Sequence, residues 1–339
     1  MSMRRWLVVS LLFVTLLCPA QQRRALLVGV ANYPEESGWR KIHADNDVSL
    51  LESVLSSSFS VKSILDEKAT LDNILKELAG LQKATCHGDT VLVSFSCHGQ
   101  QMFTIESTTE ADSLDEALIP YDAKVKYSSD YHGENHLRDD VLSEHIFRLR
   151  EAAGSDGLVI VLLDACHSGD SFRDTKEMEN CRGGYPVFGP DNTVRAVHKD
   201  LKNVVGVAKS DGISDVLFMS ACQSYQLNAE YKVSEDKWYG SLTYAFIKAY
   251  EKDGLNSLLS LCADIRSNVE SFNKSTRQSP EFATTIDALQ MLEEKPDTTI
   301  VEIDDCGNHD GADTQIYWIV GLAILLAVII IAFYLWKKK

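Results

Sequence analysis

Positive charge is scarce in this chain: 33 lysines and arginines face 49 aspartates and glutamates, a formal net charge of −16 at pH 7. A field of that sign repels nucleic acid and anionic membrane surfaces, so nucleic acid is excluded as a partner. No internal repeat is present, which excludes a solenoid or a propeller. Structural zinc is disfavoured too, because four ligands at recognisable spacing are missing. Cys86-His87, Cys97-His98 and Cys166-His167 are adjacent pairs, and neighbours on an extended strand point to opposite faces rather than chelating together. What remains is a globular composition, 45% hydrophobic and 24% charged over 339 residues, enough for one large domain or two ordinary ones.

The two ends carry the long apolar runs. Arg4 and Arg5 precede an apolar stretch from Trp6 to Leu17, and Cys18-Pro19-Ala20 offers a small residue before a cut at Gln21. Residues 1–20 therefore read as a secretory signal peptide. Bulky Leu17 argues against lipid attachment at Cys18. Ile316 to Trp336 is an unbroken run of 21 residues, as a helix about 31 Å long, which matches the hydrocarbon core of a bilayer. Tyr317, Trp318, Tyr334 and Trp336 stand at its ends and Lys337, Lys338 and Lys339 follow, where interfacial aromatics and cytoplasmic charge belong. The expectation is a single-pass membrane protein. Its main domain, 21–300, would lie outside the cytoplasm, followed by a polar stalk (301–315), a membrane helix (316–336) and a basic cytoplasmic tail (337–339). Of eight cysteines, seven remain once Cys18 leaves with the signal, an odd number that leaves a thiol free if all pairing is intramolecular.

Within the main domain, short apolar runs alternate with segments of helical period. Ala25 to Val30, Val61 to Leu65, Thr90 to Phe95, Leu158 to Leu163 and Val216 to Met219 predict buried strands. Val48, Leu51, Val54 and Leu55 recur at helical spacing behind a cap at Asp45. Leu71, Ile74, Leu75, Leu78 and Leu81 do so behind Thr70 or Asp72, and Val141, Leu142, His145, Ile146 and Leu149 behind Asp139. Two more helices are predicted around Leu242 to Tyr250 and Leu258 to Phe272. This alternation predicts an α/β fold with a mainly parallel sheet covered on both faces. Phe172 to about Ser214 is polar and without period, long for a loop with no function. It is expected to be exposed and labile, either merely mobile or self-cleaved after Arg195, Lys199, Lys202 or Lys209.

In such sheets reactive groups sit at the carboxyl ends of adjacent strands. Two strands here end in Ser96-Cys97-His98-Gly99 and in Asp164-Ala165-Cys166-His167-Ser168-Gly169. Cysteine attacks a carbonyl as thiolate, and histidine is the side chain suited to take its proton near neutral pH. Glycine lets the backbone turn sharply and offer N–H groups to an oxyanion. Taken alone, a cysteine at a strand end is as readily a small buried hydrophobe.

Together these motifs resemble the histidine and nucleophile motifs of the caspase-like cysteine peptidases, peptidase family C14, on the metacaspase branch. Four further segments resemble that branch in the same order. They are Asn46-Asp47, the acidic run from Asp112 to Asp122 with its Pro120-Tyr121-Asp122 end, Asp139-Asp140, and Gly240-Ser241-Leu242-Thr243-Tyr244-Ala245. The resemblance runs from about Arg24 to about Leu292. It implies a caspase-like three-layer α/β/α sandwich, to which the membrane helix would be added. It also implies a cysteine endopeptidase acting on proteins or peptides. Cys166 would be the nucleophile, His98 the general base, and the N–H groups of Gly99 and Cys166 the oxyanion donors.

The metacaspase branch cleaves after arginine or lysine in a pocket of two acids and a serine, which implies substrate-binding roles for Asp47, Asp164 and Ser96. The chemistry needs no cofactor. Calcium as an activator is implied through Asp122, Asp139, Asp140 and Asp174, carboxylates being the ligands that cation prefers; the alternative is a solvated acidic face with Asp139 as a cap. Two departures stand out. Cys97 replaces a glycine before the histidine, and Ser224-Tyr225 stand where the second substrate-binding segment, Ser220 to Glu230, usually carries two aspartates. The competing readings are a catalytically silent caspase-fold interaction module, and a peptidase of the related clostripain or gingipain groups. Retention of both cysteine and histidine argues against the first, and the Pro-x-Asp and Asp-Asp segments against the second.

Overall fold

The computed structural model describes residues 21–103, 114–166, 180–191, 207–223, 226–272 and 278–292. Six strands form one sheet: β1 (Arg23–Gly29), β2 (Ser60–Leu65), β3 (Thr90–Ser96), β7 (Leu158–Asp164), β8 (Asp215–Ser220) and β11 (Glu281–Thr284). Their order is β11-β8-β7-β3-β1-β2, parallel throughout except β11, which closes the edge antiparallel to β8. The apolar runs made these strands because both sheet faces are covered. Ala25 and Leu27 pack into one core with Leu92, Ile160 and Leu162, while Leu26 and Val28 pack into the other with Val91, Val93, Val159 and Val161. Period-two alternation between two dry faces leaves few polar positions along the inner strands, Ser94 of β3 being one.

Among the described residues, five helices supply the covering layers. α1 (Ala44–Leu55), α4 (Ser241–Asp253) and α5 (Leu258–Phe272) present Val48, Leu51, Phe246, Leu261 and Ile265 to the first face. α2 (Leu71–Ala84) and α3 (Asp139–Ala153) present Ile74, Leu78, Leu142, Ile146 and Leu149 to the second. α2 is capped by the Thr70 hydroxyl, which accepts from the Asn73 N–H. α1 begins two residues earlier than expected, so His43 is the N-cap residue and Asp45 lies in the first turn, where its charge suits the positive end of the helix.

Two smaller antiparallel sheets were not anticipated. One joins β4 (Gly99–Phe103), β5 (Leu114–Leu118) and β6 (Leu137–Arg138); the other is the hairpin β9 (Glu230–Ser234) with β10 (Lys237–Gly240). The hairpin sends Trp238 against His43, rings 6.0 Å apart, and its Trp238 carbonyl accepts from the Asn46 side chain.

The expected membrane architecture is corrected. Among the described residues no helix is long and apolar enough to cross a membrane. The five helices span 12 to 15 residues, so the longest rises about 23 Å, short of the roughly 30 Å hydrocarbon core. Each also exposes a polar face. The expected helix at 316–336, the leader, the stalk and the basic tail lie outside the described residues. Among the described residues the supported architecture is the α/β/α sandwich, and neither the added spanning helix nor the single-pass extracytoplasmic placement finds support there.

Candidate active site

β3 and β7 are parallel neighbours whose last residues, Ser96 and Asp164, are paired in register. The chain leaving β3 carries His98 and the chain leaving β7 carries Cys166, so both reactive groups emerge at one sheet edge. Parallel strands lie about 4.8 Å apart, which fixes how near they start. Cys97, between Ser96 and His98, points the other way into the hydrophobic core, where burial pushes its thiol up to about 12. The cysteine that departs from the family pattern is a core residue.

His98 is completely buried. Its Nε2 lies 2.8 Å from the carbonyl oxygen of Arg40. A carbonyl only accepts, so Nε2 carries the proton and Nδ1 keeps its lone pair. Nδ1 has no hydrogen-bond partner among the described residues. Trp39 stacks on the ring at 5.3 Å, and Tyr185 meets it edge-on at 5.4 Å. Tyr33 fixes the backbone: its hydroxyl accepts from His98 N–H at 3.1 Å and donates to the Ile119 carbonyl at 2.9 Å. Burial holds the imidazole down at about 4, the bond to Arg40 opposing, so the ring is neutral near pH 7.

The N–H groups of Gly99 and Cys166 converge on one atom. The carbonyl oxygen of Arg182 accepts from Cys166 N at 3.1 Å and from Gly99 N at 3.3 Å. The Arg182 side chain, also fully buried, enters a pocket of three acids. Its Nη2 is 2.6 Å from Asp47 and 2.9 Å from Glu230, its Nε 3.2 Å from Glu230, and its Nη1 3.5 Å from the Asp164 carboxylate. Each acid is itself held. Asp47 accepts from Ser96 Oγ and from Gly240 N, both at 2.9 Å. Asp164 accepts from Asn228 and from Thr243 N at the start of α4, both at 2.7 Å. Glu230 accepts from the His43 backbone at 2.8 Å and from its ring at 2.6 Å.

Three carboxylates around one guanidinium leave two negative charges in excess. Burial, opposed by Arg182, pushes Asp47 up to about 7. Glu230 goes the other way: burial would raise it, but Arg182 and His43 bring it down to about 2. The pocket has no room to spare at Gly240, where a Cβ would sit 2.2 Å from Asp164 Oδ2 and 2.6 Å from Arg182 Nη1. Gly183 is as constrained, since a Cβ there would fall 2.3 Å from the Cys166 carbonyl oxygen. Arg182 and Gly183 thus lie across the strand ends with the peptide bond between them beside Cys166.

The expected residues His98, Gly99, Cys166, Asp47, Ser96 and Asp164 come together here. The four aspartates assigned to calcium do not form one group. Asp122 accepts from Leu71 N at the start of α2, Asp139 and Asp140 accept from the next backbone N–H of α3, and Asp174 lies outside the described residues. Among the described residues no set of three or more His, Cys, Asp or Glu is placed to hold a metal ion. Of the expected self-cleavage positions, Arg195, Lys199 and Lys202 lie outside the described residues, and Lys209 pairs with Asp287 at the surface. Sequence reasoning missed the Arg40 carbonyl, Glu230 and Arg182. The first is a backbone atom and leaves no trace in residue type. Glu230 ends the Ser220–Glu230 segment, and Arg182 precedes two glycines in the polar loop.

A mainly parallel sheet with cysteine and histidine at adjoining strand ends is the plan of a cysteine peptidase domain. The family model for the caspase domain of C14 peptidases matches residues 22–307, and the chain belongs to that family, on its metacaspase branch. Metacaspase-2 of Arabidopsis thaliana is 26% identical over 294 residues, covering 81% of this chain and 65% of the relative. Metacaspase-1B of Neosartorya fischeri is 24% identical over 292 residues, covering 74% and 66%. The chain thus spans just under two thirds of the length of these curated relatives. A solved structure from Geobacter sulfurreducens superposes with a TM-score of 0.54 at 21% identity, over 78% of this chain and 93% of that one, a likeness of fold.

Proposed function

We propose that this chain is a cysteine endopeptidase that cleaves after arginine, and after lysine less well. His98 Nδ1 takes the Cys166 thiol proton while its Nε2–H stays on the Arg40 carbonyl. The thiolate adds to the carbonyl carbon of the substrate, and the N–H groups of Gly99 and Cys166 receive the oxyanion. Collapse breaks the C–N bond, and the leaving amine takes its proton from His98. Water, activated by the same imidazole, then hydrolyses the thioester. No step calls on a cofactor from these residues.

The observation that carries this reading is Arg182. Its carbonyl oxygen accepts from both N–H groups while its guanidinium fills the acidic pocket, the two ends of an arginyl substrate bound at once. A guanidinium taken from water needs carboxylates to meet it, and an aspartyl side chain here would face three like charges. The same geometry makes Arg182–Gly183 the bond offered for self-cleavage, in place of the positions expected from sequence.

The test is hydrolysis of arginyl, lysyl and aspartyl fluorogenic peptides by the purified protein, with Cys166→Ala and His98→Ala as controls. Arginyl turnover lost in both variants is expected. Full activity in either variant, or a preference for aspartyl peptides, overturns the reading. Mass spectrometry of wild type and Cys166→Ala should find a fragment ending at Arg182 in the wild type alone.

A further inference from the structure

The proposed chemistry uses one thiol, yet two more lie beside it. Cys166, Cys181 and Cys222 are buried and pack with Leu227 and Ala229 in one cluster. Cys222 follows β8, the parallel neighbour of β7, with Leu163 paired to Ser220 and the Ala221 N–H donating to the Leu163 carbonyl at 3.1 Å. The chains leaving the two strands therefore start about 4.8 Å apart, within the roughly 4.4–6.8 Å between α-carbons that a disulfide spans. The side chains stay together beyond that point. Cys166 Sγ donates to the Gln226 carbonyl at 3.0 Å and Cys222 Sγ donates to the same oxygen at 3.4 Å. A hydrogen bond with the Cys166 thiol, and then burial, raises the Cys222 thiol well above its ordinary value. Cys222 keeps its proton where the nucleophile gives its own to His98.

We propose that Cys222 is a resolving cysteine for Cys166, so that peroxide oxidation of the nucleophile ends in a Cys166–Cys222 disulfide. The proposal rests on the reading of Cys166 as nucleophile. The Cys166 thiolate attacks one peroxide oxygen, the O–O bond breaks, and the departing hydroxide takes a proton to leave as water. The product is a sulfenic acid. Cys222 sulfur then attacks the Cys166 sulfur, the S–O bond breaks, and the hydroxyl leaves as water with the Cys222 proton. The two thiols have lost two electrons and two protons to the peroxide. Without a resolving thiol the sulfenic acid goes on to sulfinic acid, which thiol reductants do not reverse. The disulfide keeps the enzyme off but recoverable.

The test treats the reduced full chain with hydrogen peroxide, alkylates remaining thiols and digests without reductant. The expected product is a Cys166–Cys222 cross-linked peptide, two hydrogens lighter than the sum of its parts, that dithiothreitol dissolves. In Cys222→Ser and in Cys222→Ala, Cys166 should go to sulfinic acid at the same dose. Three results in wild type overturn the proposal. These are sulfinic acid at Cys166 without the cross-link, a Cys166–Cys181 cross-link instead, or a Cys166 that peroxide spares while iodoacetamide alkylates it. Arginyl-peptidase activity of the reduced protein is measured in parallel, so loss of the catalytic reading is seen separately from loss of the disulfide.

Discussion

The guanidinium of Arg182 lies 2.6 Å from the Asp47 carboxylate, and both side chains are wholly out of solvent. Such a pair is held together by what its loss would leave behind. Removing one partner of a buried pair strands the other as an uncompensated charge, at a cost of about 3–5 kcal/mol. Here the cation serves Asp164 and Glu230 as well. Arg182→Ala, made on Cys166→Ala to prevent processing, should therefore lower the unfolding temperature markedly. Because the pocket is built for a guanidinium, arginine amide should restore part of it, about 2.7 kcal/mol at 100 times its Kd. A variant as stable as its parent, and deaf to arginine amide, would remove the pocket assignment.

Glu230 makes the pocket more particular than two acids and a serine would. Its Oε1 accepts from both Nε and Nη2 of Arg182, at 3.2 and 2.9 Å. Lysine has no group at the Nε position that donates while another donor reaches Asp47. Glu230→Gln should lower kcat/KM for arginyl peptides by about 1.5–3 kcal/mol, roughly 10- to 150-fold, and for lysyl peptides by much less. Asp164→Asn should cost both, on the order of 2 kcal/mol. Equal losses on both substrates in Glu230→Gln would deny it this role.

Gly240 admits no side chain. A Cβ would meet Asp164 Oδ2 at 2.2 Å and its Cγ at 2.5 Å, both atoms locked by Asn228 and by the Thr243 N–H. Gly240→Ala should destabilise by about 1–3 kcal/mol and raise KM for arginyl peptides. Thermal unfolding and steady-state kinetics read both, and an unchanged KM would show that the acid shell yields to the added methyl group.

The inner strands β1, β3, β7 and β8 were legible because they are buried on both faces and so written as near-continuous apolar runs, Leu158 to Leu163 above all; the edge strand β11 has no such run and was not anticipated. The proposed dyad stood out because its two residues follow two of these inner strands. What sequence hid was everything held by backbone or by distance along the chain. The Arg40 carbonyl that orients His98 has no residue-type signature. Glu230 reaches the pocket from a hairpin whose strands are short and largely exposed, with no apolar run to betray them. Arg182 lay in a segment read only as a polar loop, because the three acids it meets, Asp47, Asp164 and Glu230, stand 135 and 18 positions before it and 48 after it. The membrane helix was the opposite case: a local composition with no support from the described fold.

Burial, against the opposing bond to the Arg40 carbonyl, sets the His98 imidazole at about 4. The folded chain therefore binds fewer protons at this ring than the unfolded chain between about pH 4 and the ordinary 6.5. Its contribution to stability is full above about 6.5 and is lost as pH falls through that window. The Arg182 segment is part of the cause, since Tyr185, three residues on, covers one edge of the ring. Lifting that segment wets the imidazole and moves it back toward its ordinary value. NMR titration of His98 in Cys166→Ala should give a midpoint near 4, and adding Arg182→Ala should raise it toward 6.5. The acid limb of kcat/KM, which reports the free enzyme, should accordingly lie nearer 6.5 than 4 once the chain is cut after Arg182. A His98 that titrates at its ordinary value with the segment in place would break the link between burial and basicity.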